Sequence, residues 1–199
     1  MLLTERDVYL FREGTHFGAH QLMGAHPDIE GGAAGTRFRV WAPNARAVAL
    51  IGDFNEWHPQ ATHALVPRTD DSGLWESFVP GVGRGARYKF RIEGPHGESF
   101  EKSDPYAFHG EVPPGTASIV WDLDYDWGDA EWMATRATAN ALDAPCAVYE
   151  VHLGSWRRHA DDPTRMLGYR EAAHALADYV AHLGFTHVEL LPVMEHPFY

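Results

Sequence analysis

The sequence predicts an antiparallel β-sandwich followed by the first strand–helix–strand unit of a parallel α/β fold. Over 36–122, five or six short apolar or alternating segments are separated by turn signals at regular spacing, as is typical of a sandwich. The pattern changes after 146, where two strand-like apolar segments flank a stretch of helical period. A unit of that kind is the building block of parallel folds and is normally right-handed.

The composition is that of a folded chain with no nucleic-acid or membrane partner. At 199 residues the chain can form one large or two small domains, and 45% apolar residues suffice for a core. The net charge is −12 without a run of Lys or Arg, which excludes an electrostatic footprint for nucleic acid or an anionic membrane. No segment is long and apolar enough to span a membrane. A neutral polyhydroxyl partner is compatible with this charge.

A few residues bear on localisation and cofactors. The single cysteine, Cys146, excludes an internal disulfide and fits a reducing compartment. The first residues lack the basic flank and apolar run of a signal peptide, so we expect a cytoplasmic protein. The 13 histidines show no metal-ligand spacing, and the acidic segment 122–129 lacks the Gly and Glu of a calcium loop. We therefore expect no metal and no cofactor.

The segment before the sandwich is predicted as helix and loop. Residues 4–18 are expected to form a short helix or cap, and frequent glycine over 14–35 indicates a loop. The first strand, 36–43, is predicted to be half-buried, because apolar residues at 38 and 40 alternate with Arg37 and Arg39. Further strands are predicted at 47–54, 74–79, 87–93, 98–101 and 117–122.

The acidic segment 122–129 loses strand alternation, so we place a domain boundary near 128. The expected domains are a β-sandwich over 1–128 and a linker with the strand–helix–strand unit over 129–199. Within the second domain, 131–142 is predicted as a short helix or an extended connector. The helix of the unit is indicated by an apolar stripe that ends before Gly184. The stripe comprises Tyr169, Ala172, Ala173, Leu176, Ala177, Val180 and Leu183.

Two side chains of the sandwich are candidates for ligand binding. Trp57 follows polar residues at the end of a strand. Its two interpretations are a plug at the edge of the core, which the sequence alone favours, and a platform for a sugar ring. Lys89 projects from the polar face of the strand 87–93, where a solvated lysine is the default.

The second domain offers three carboxylates for glycosyl transfer, Glu150, Glu189 and Glu195. Retaining transfer needs two carboxyl groups about 5 Å apart. Glu150 and Glu189 are expected mid-strand, whereas chemistry in barrels lies at the carboxyl ends of strands, where only Glu195 is expected. One position does not supply a pair, so we assign no catalytic residue.

Several segments carry a family resemblance. The first set resembles the amino-terminal module of 1,4-α-glucan (glycogen) branching enzymes, which is of carbohydrate-binding family 48 type. This set comprises 9–16, 38–45, 48–57, 104–108 and 121–127. The second set, 149–156 and 190–198, resembles the first two strands of the family 13 α-amylase-type (β/α)8 barrel. It carries His-Leu-Gly-Ser-Trp and Met-Glu-His-Pro, from which related debranching enzymes and trehalohydrolases usually differ.

The resemblance implies an all-β immunoglobulin-like sandwich followed by an incomplete (β/α)8 TIM barrel. It implies a retaining glycosyltransferase of glycogen biosynthesis, which cuts an α-1,4-glucan and rejoins the piece through an α-1,6 bond. The catalytic carboxylates of the family lie on later strands, whose motifs this sequence does not contain. We therefore expect an amino-terminal part that is inactive alone. The alternatives are a non-catalytic glucan-binding module and a part of another family 13 enzyme, such as a debranching hydrolase or a trehalohydrolase.

The resemblance also implies binding residues and partners. Trp57 and Lys89 match glucan-binding positions of family 48 modules, although the turn 94–98 lacks the aromatic that those modules often carry there. The rim of the active-site cleft in the whole enzyme is matched by Glu195, His196 and Tyr199. The implied partners are α-1,4-glucan chains, such as glycogen, and the rest of the chain's own barrel; no nucleic acid, membrane or cofactor is implied.

Overall fold

The computed structural model of the protein describes residues 3–194, within two compact units. The first unit is Met1–Tyr125 and the second is Asp126–Tyr199. The first unit confirms the predicted antiparallel β-sandwich.

Nine strands form the two sheets of the first unit. They are β1 (Gly24–Glu30), β2 (Ala33–Trp41), β3 (Ala47–Gly52), β4 (Val66–Pro67), β5 (Leu74–Pro80), β6 (Arg87–Glu93), β7 (Ser99–Lys102), β8 (His109–Gly110) and β9 (Ser118–Ile119). The first sheet has the strand order β1-β2-β5-β4. The second has the order β3-β6-β9-β8, with β7 also paired to β6.

The core lies between the two sheets because alternate residues of facing strands are apolar. In β6, Tyr88 and Phe90 are fully buried and Arg87 is exposed. Phe38 of β2 meets Tyr88 edge to face, with 5.0 Å between the ring centroids. The buried residues of the core are Ala25, Phe38, Val40, Ala42, Val48, Leu50, Leu65, Trp75, Val79, Val82, Tyr88, Phe90 and Val120.

Strand β2 is buried on both faces, so the prediction of a half-buried strand is wrong. Arg37 and Arg39 are buried rather than solvated. Arg37 pairs with Asp28 and Glu30 of β1. Arg39 pairs with Glu76, its register partner in β5. Alternation of charged and apolar residues does not distinguish a solvated face from a face of cross-strand ion pairs.

The predicted loop over 14–35 is also wrong in its second half, where β1 and β2 form a hairpin. Gly31 and Gly32 form its two-residue turn with φ of +58° and +84°, a conformation that matches the twist of paired strands. Pro27 hides the strand pattern of β1, and proline is tolerated there because β1 is an edge strand. The two-residue strands β4 and β8 are too short for alternation to reveal.

The predicted helix near the start is confirmed as α1 (Glu5–Arg12). Thr4 caps it, because the backbone N–H of Asp7 donates to the Thr4 hydroxyl at 3.2 Å while the Asp7 carboxylate accepts from the Thr4 N–H at 2.9 Å. The Asp7 carboxylate also accepts from the Thr4 hydroxyl at 2.6 Å. This bond, followed by the one from the Thr4 N–H, lowers the pKa of Asp7. Val8 is buried, whereas Arg12 in the last turn is exposed.

The second unit contains the predicted strand–helix–strand unit. Its elements are α2 (Ala130–Ala139), β10 (Val148–Val151), α3 (Leu153–Trp156), α4 (Tyr169–His182) and β11 (His187–Leu190). Strands β10 and β11 are parallel neighbours, with α4 between them in sequence. Gly184 has φ of +80°, as the predicted helix end requires. Within the apolar stripe of α4, Ala172, Leu176 and Val180 are buried.

Among residues 3–194, no helix is long and apolar enough to cross a membrane. The same residues contain no group of three or more His, Cys, Asp or Glu side chains that could hold a metal ion. Every buried side-chain nitrogen and oxygen in this part of the chain has a hydrogen-bond partner.

Candidate functional site

The turn after β3 is fixed by the buried side chain of Asn55. Its Oδ1 accepts a hydrogen bond from the Gly52 N–H at 2.9 Å, and its Nδ2 donates to the Leu50 carbonyl at 2.9 Å. These two hydrogen bonds satisfy the Gly52 N–H and the Leu50 carbonyl near the end of β3, where the hydrogen bonds between strands stop. Asn55 thereby closes a 3₁₀ turn over Asp53–Asn55 and positions the residues that follow.

Trp57 leaves this turn in an unusual backbone conformation. Glu56 and Trp57 have φ of +53° and +62°, a region that costs a non-glycine residue about 1 kcal/mol or more. The Trp57 N–H donates to the Gly52 carbonyl at 3.0 Å, which holds this geometry. The Trp57 side chain is half-buried, and Phe54 is the residue that packs against the core. The interpretation of Trp57 as a core plug is therefore wrong.

Asp53 connects Trp57 to strand β6. Each of its two carboxylate oxygens accepts a hydrogen bond from the Arg87 guanidinium at 2.9 Å, a bidentate geometry that fixes both side chains. The Trp57 side chain lies near the same carboxylate and interacts with it more weakly than Arg87 does. The hydrogen bonds from Arg87, and to a smaller extent the interaction with Trp57, hold the pKa of Asp53 below its usual value. The orientation of Trp57 is thus tied to β6.

Lys89 lies on the outer face of β6, two residues after Arg87 and opposite Ile51 of β3. It is half-buried, and its Nζ donates to the hydroxyl of Thr116 at 2.7 Å. Lys89 is therefore not the freely solvated lysine that is the default expectation for this position. Ile51 is the penultimate residue of β3, and the turn that carries Trp57 follows directly. The structure thus brings Trp57 and Lys89 to the same end of the second sheet.

Sequence reasoning misses Thr116 and Glu111, which complete this surface. Glu111 accepts from Arg87 at 2.9 Å and from the backbone N–H of Ala117 at 2.9 Å. Both residues precede β9, and they reach β6 because β9 pairs with it. Only the register of β6 and β9 could have revealed them. We call the surface formed by Asp53, Trp57, Arg87, Lys89 and Thr116 the Trp57–Lys89 face.

The Trp57–Lys89 face combines a partly accessible indole with hydrogen-bonding groups of both kinds. An aromatic face packs against the apolar face of a sugar ring. The ammonium of Lys89 has two N–H groups besides the one directed at Thr116, and the Thr116 hydroxyl is exposed. Donors and acceptors side by side suit the hydroxyl groups of a neutral polyhydroxyl ligand.

Two of the three candidate carboxylates of the second unit lie in the part of the chain that the structure describes. Glu150 and Glu189 are register partners in β10 and β11, and both are exposed. The next residue, Val151, is buried with α4, so the two carboxylates lie on the opposite face of this sheet. They are mid-strand, as predicted, and we assign them no catalytic role. The residues predicted at the cleft rim, Glu195, His196 and Tyr199, lie outside the described residues.

Comparison with known proteins shows what this chain is similar to. Residues 22–107 match the family model of carbohydrate-binding module 48 (isoamylase N-terminal domain). The chain is 52% identical over 197 residues to the 1,4-alpha-glucan branching enzyme GlgB of Albidiferax ferrireducens, covering 98% of this chain and 30% of that enzyme. It is 54% identical over 197 residues to the same enzyme of Aromatoleum aromaticum, covering 99% and 30%. The chain thus spans 30% of the length of these relatives.

Similar solved structures include the apo pullulanase of Klebsiella pneumoniae, with a TM-score of 0.62 and 25% identity over 90% of this chain and 21% of that one. The maltotriose complex of PulA from the same organism has a TM-score of 0.61 and 27% identity, with the same coverage of 90% and 21%. The resemblance that the sequence motifs predict, to branching enzymes and to a family 48 module, is confirmed.

Proposed function

We propose that this chain is part of a 1,4-α-glucan branching enzyme of glycogen biosynthesis, in which a family 48 module over 1–128 presents the Trp57–Lys89 face to α-glucan. The observation that carries the proposal is the identity to branching enzymes over nearly the whole chain, which is about twice the identity to the pullulanase structures. Pullulanases share the fold, so the fold does not separate branching from debranching. Sequence identity favours branching.

The activity proposed for the whole enzyme is glycosyl transfer. An α-1,4 bond of the glucan is cleaved, and the released segment is joined through an α-1,6 bond to a hydroxyl of a glucan chain. Retaining transfer requires a nucleophilic carboxylate and an acid/base carboxyl about 5 Å apart. Because Glu150 and Glu189 lie mid-strand, we assign this chain the binding and positioning of glucan rather than the chemical step.

Glucan binding is proposed to use each part of the Trp57–Lys89 face differently. The Trp57 indole stacks on a glucose ring, and its orientation is fixed in advance by Asp53 and by the turn that Asn55 closes. A fixed aromatic loses little conformational entropy on binding, which increases affinity. Lys89 and Thr116 provide hydrogen bonds to hydroxyl groups at the rim of the stacked ring.

Replacing Trp57 by Ala is expected to weaken the retention of chain 1–199 in glycogen-containing native gels by at least about fivefold in apparent affinity, since tryptophan anchors commonly contribute more than about 1 kcal/mol. Lys89→Ala is expected to weaken it by about threefold, the effect of one hydrogen bond. Trp132→Ala is the matched control, because Trp132 is a half-exposed tryptophan of α2. A wild-type chain whose mobility is indifferent to glycogen would refute the glucan-binding role.

The chain alone is expected to leave the iodine staining of amylose unchanged. Branching shortens the unbranched helical segments that bind iodine, so a complete branching enzyme lowers the stain. The same concentration of a whole branching enzyme is the positive control. A decrease caused by chain 1–199 would contradict the assignment of the catalytic carboxylates to strands outside it.

We propose that residues 129–199 contain the start of an α-amylase-type (β/α)8 barrel. Support comes from an uncovered apolar surface, because every residue of β11 is exposed. An apolar hollow of about 510 Å³ lies beside it, lined by Leu153, Tyr169, Ala173, Leu176, Ala177, Val188, Leu190 and Val193. Exposed apolar patches of this kind are normally covered by further structure. Later strands and helices of the barrel are the proposed cover.

A cytoplasmic location is proposed for the enzyme. Cys146 is free and exposed, which fits a reducing compartment. Glycogen, the proposed ligand, is a neutral polymer, and binding it needs no charge complementarity from a chain of net charge −12.

A further inference from the structure

A second concave surface lies at the end of the first sheet, away from the Trp57–Lys89 face. It is a cavity of about 710 Å³, a volume in the range of small-ligand sites. Its walls include the exposed Trp41 at the end of β2, Arg12 from the last turn of α1 and Arg46 just before β3. Asp71 and Gly73 belong to the turn that leads into β5. We call the surface formed by these five residues the Trp41 groove.

The Trp41 ring is exposed yet fixed in position. The side chain is 56% exposed, and its Nε1 donates to the Ser72 carbonyl at 3.2 Å. Gly73, with φ of +73°, makes this approach possible, because a Cβ there would lie 2.7 Å from Pro43 Cβ and 3.1 Å from Trp41 Nε1. The indole N–H is therefore occupied while much of the ring remains accessible. Trp57 is positioned in a comparable way, because its backbone is held by the Gly52 carbonyl and its side chain lies near Asp53.

The charged groups of the groove suit a neutral ligand with many hydroxyls. Arg12 and Arg46 are exposed, and neither has an ion-pair partner within residues 3–194, so their N–H groups are open to a ligand. Arg68, by contrast, is occupied by carboxylates. Asp71 lies in the same lining and supplies an acceptor. Asp71 offsets part of the positive charge of Arg12 and Arg46, and hydroxyl groups can use these donors and this acceptor together.

The groove is separate from the Trp57–Lys89 face. Arg46 directly precedes β3, and Trp57 leaves the turn that follows it, so the two sites lie at opposite ends of this strand. Six residues of extended strand place them on the order of 20 Å apart. A glucan polymer can occupy both sites at once, and simultaneous occupation raises the apparent affinity without any new contact.

We infer that the Trp41 groove is a second α-glucan subsite, in which Trp41 stacks on a glucose ring while Arg12, Arg46 and Asp71 hydrogen-bond its hydroxyls. The inference rests on the proposed glucan-binding function and extends it from one site to two. It explains why two unpaired guanidinium groups are positioned beside an exposed, immobilised indole.

The test is a titration of ¹⁵N-labelled chain 1–199 with maltoheptaose, observed through the tryptophan indole N–H signals. The signals of Trp41 and Trp57 are identified by their loss in Trp41→Ala and Trp57→Ala, with Trp132→Ala as the matched control. We expect the Trp41 signal to shift, and to shift also in Trp57→Ala, where only the gain in apparent affinity from occupying both sites is lost. Arg46→Ala and Arg12→Ala are expected to weaken the response of the Trp41 signal about threefold each, the effect of one hydrogen bond. Arg6→Ala, an exposed arginine on the same helix, should leave it unchanged.

The outcomes separate this inference from the proposed function. A shift of Trp57 without a shift of Trp41 would overturn the second subsite and leave the first intact. No shift of either signal would overturn glucan binding at both sites. A shift of Trp41 alone would support the subsite and overturn the role given to Trp57. A response of Trp41 to glucose 1-phosphate at lower concentration than to maltoheptaose would overturn the assignment of a neutral ligand.

Discussion

Replacing Arg39 by Met is expected to lower the free energy of unfolding of the first unit by about 2–4 kcal/mol. Arg39 is 1% exposed, and its guanidinium donates to Glu76 at 2.8 Å and to the Leu22 carbonyl at 3.0 Å. Met fills most of the same volume, so the loss comes from hydrogen bonds and charge rather than from a large cavity. The Leu22 carbonyl loses its donor, and Glu76 retains the Arg68 guanidinium at 2.7 Å.

The measurement is urea denaturation followed through the amide signals of β2 and β6, which report on the first unit. Arg91→Met is the matched control, because Arg91 and Glu101 form a partly exposed pair at 3.5 Å, and its removal should cost less than about 1 kcal/mol. Equal losses for Arg39→Met and Arg91→Met would contradict the argument.

Arg39 also marks the limit of what the sequence could predict about the fold. Strand β6 is predicted with its correct bounds because its period of two agrees with a turn signal directly after it. The same period in β2 predicts the strand but not the burial of its charged side chains. Arg37 is buried by ion pairs with β1, a strand that the sequence pattern does not reveal. Arg39 is buried by its pair with Glu76 of β5, which is distant in sequence. A hydrophobic pattern predicts the local conformation of a strand, whereas the burial of its side chains depends on which other segments of the chain pack against it.

The same limit applies to the candidate site, since some of its features could be predicted from the sequence and others could not. Trp57 and Lys89 could be named from the family resemblance, and the polar residues before Trp57 correctly indicate a turn. The backbone conformation of Trp57 could not be predicted, because it depends on the buried side chain of Asn55 and on the Gly52 carbonyl. The partner of Lys89, Thr116, could not be predicted either, because only the pairing of β6 with β9 brings it near.

Replacing Tyr88 by Phe removes one hydroxyl group and is expected to cost about 3 kcal/mol at pH 7, the penalty for leaving a buried charged acceptor without its donor. The Tyr88 hydroxyl donates to Asp104 Oδ2 at 2.6 Å. Asp104 is 6% exposed, and its other oxygen accepts from the Tyr106 N–H at 2.8 Å. Phe preserves the ring contacts with Phe38 and Phe90, so the change isolates the hydrogen bond.

This penalty is expected to depend on pH. Burial raises the pKa of Asp104 above its ordinary value of 3.8, against the opposing hydrogen bonds from Tyr88 and Tyr106. A carboxyl whose pKa is raised on folding contributes stability that is present below its unfolded pKa and is lost as the pH rises through the folded pKa. Without the Tyr88 hydroxyl the folded pKa rises further. The cost of Tyr88→Phe is therefore largest at neutral pH and shrinks as the pH falls toward 3.8 and the carboxyl takes up a proton.

Urea denaturation of both proteins at pH 7 and at acid pH measures this difference, and an Asp104→Asn background is its control. In that background the group no longer titrates, so the cost of Tyr88→Phe should be the same at both pH values. A cost that is independent of pH with Asp104 present would contradict the argument. The Asp104 backbone N–H also donates to the Ser118 hydroxyl of β9 at 2.8 Å, so Asp104 joins β6, through its carboxyl, to β9, through its backbone. The acidic residue at the start of the 104–108 motif thus has a structural role, and it holds together the strands that bring Lys89 and Thr116 into contact.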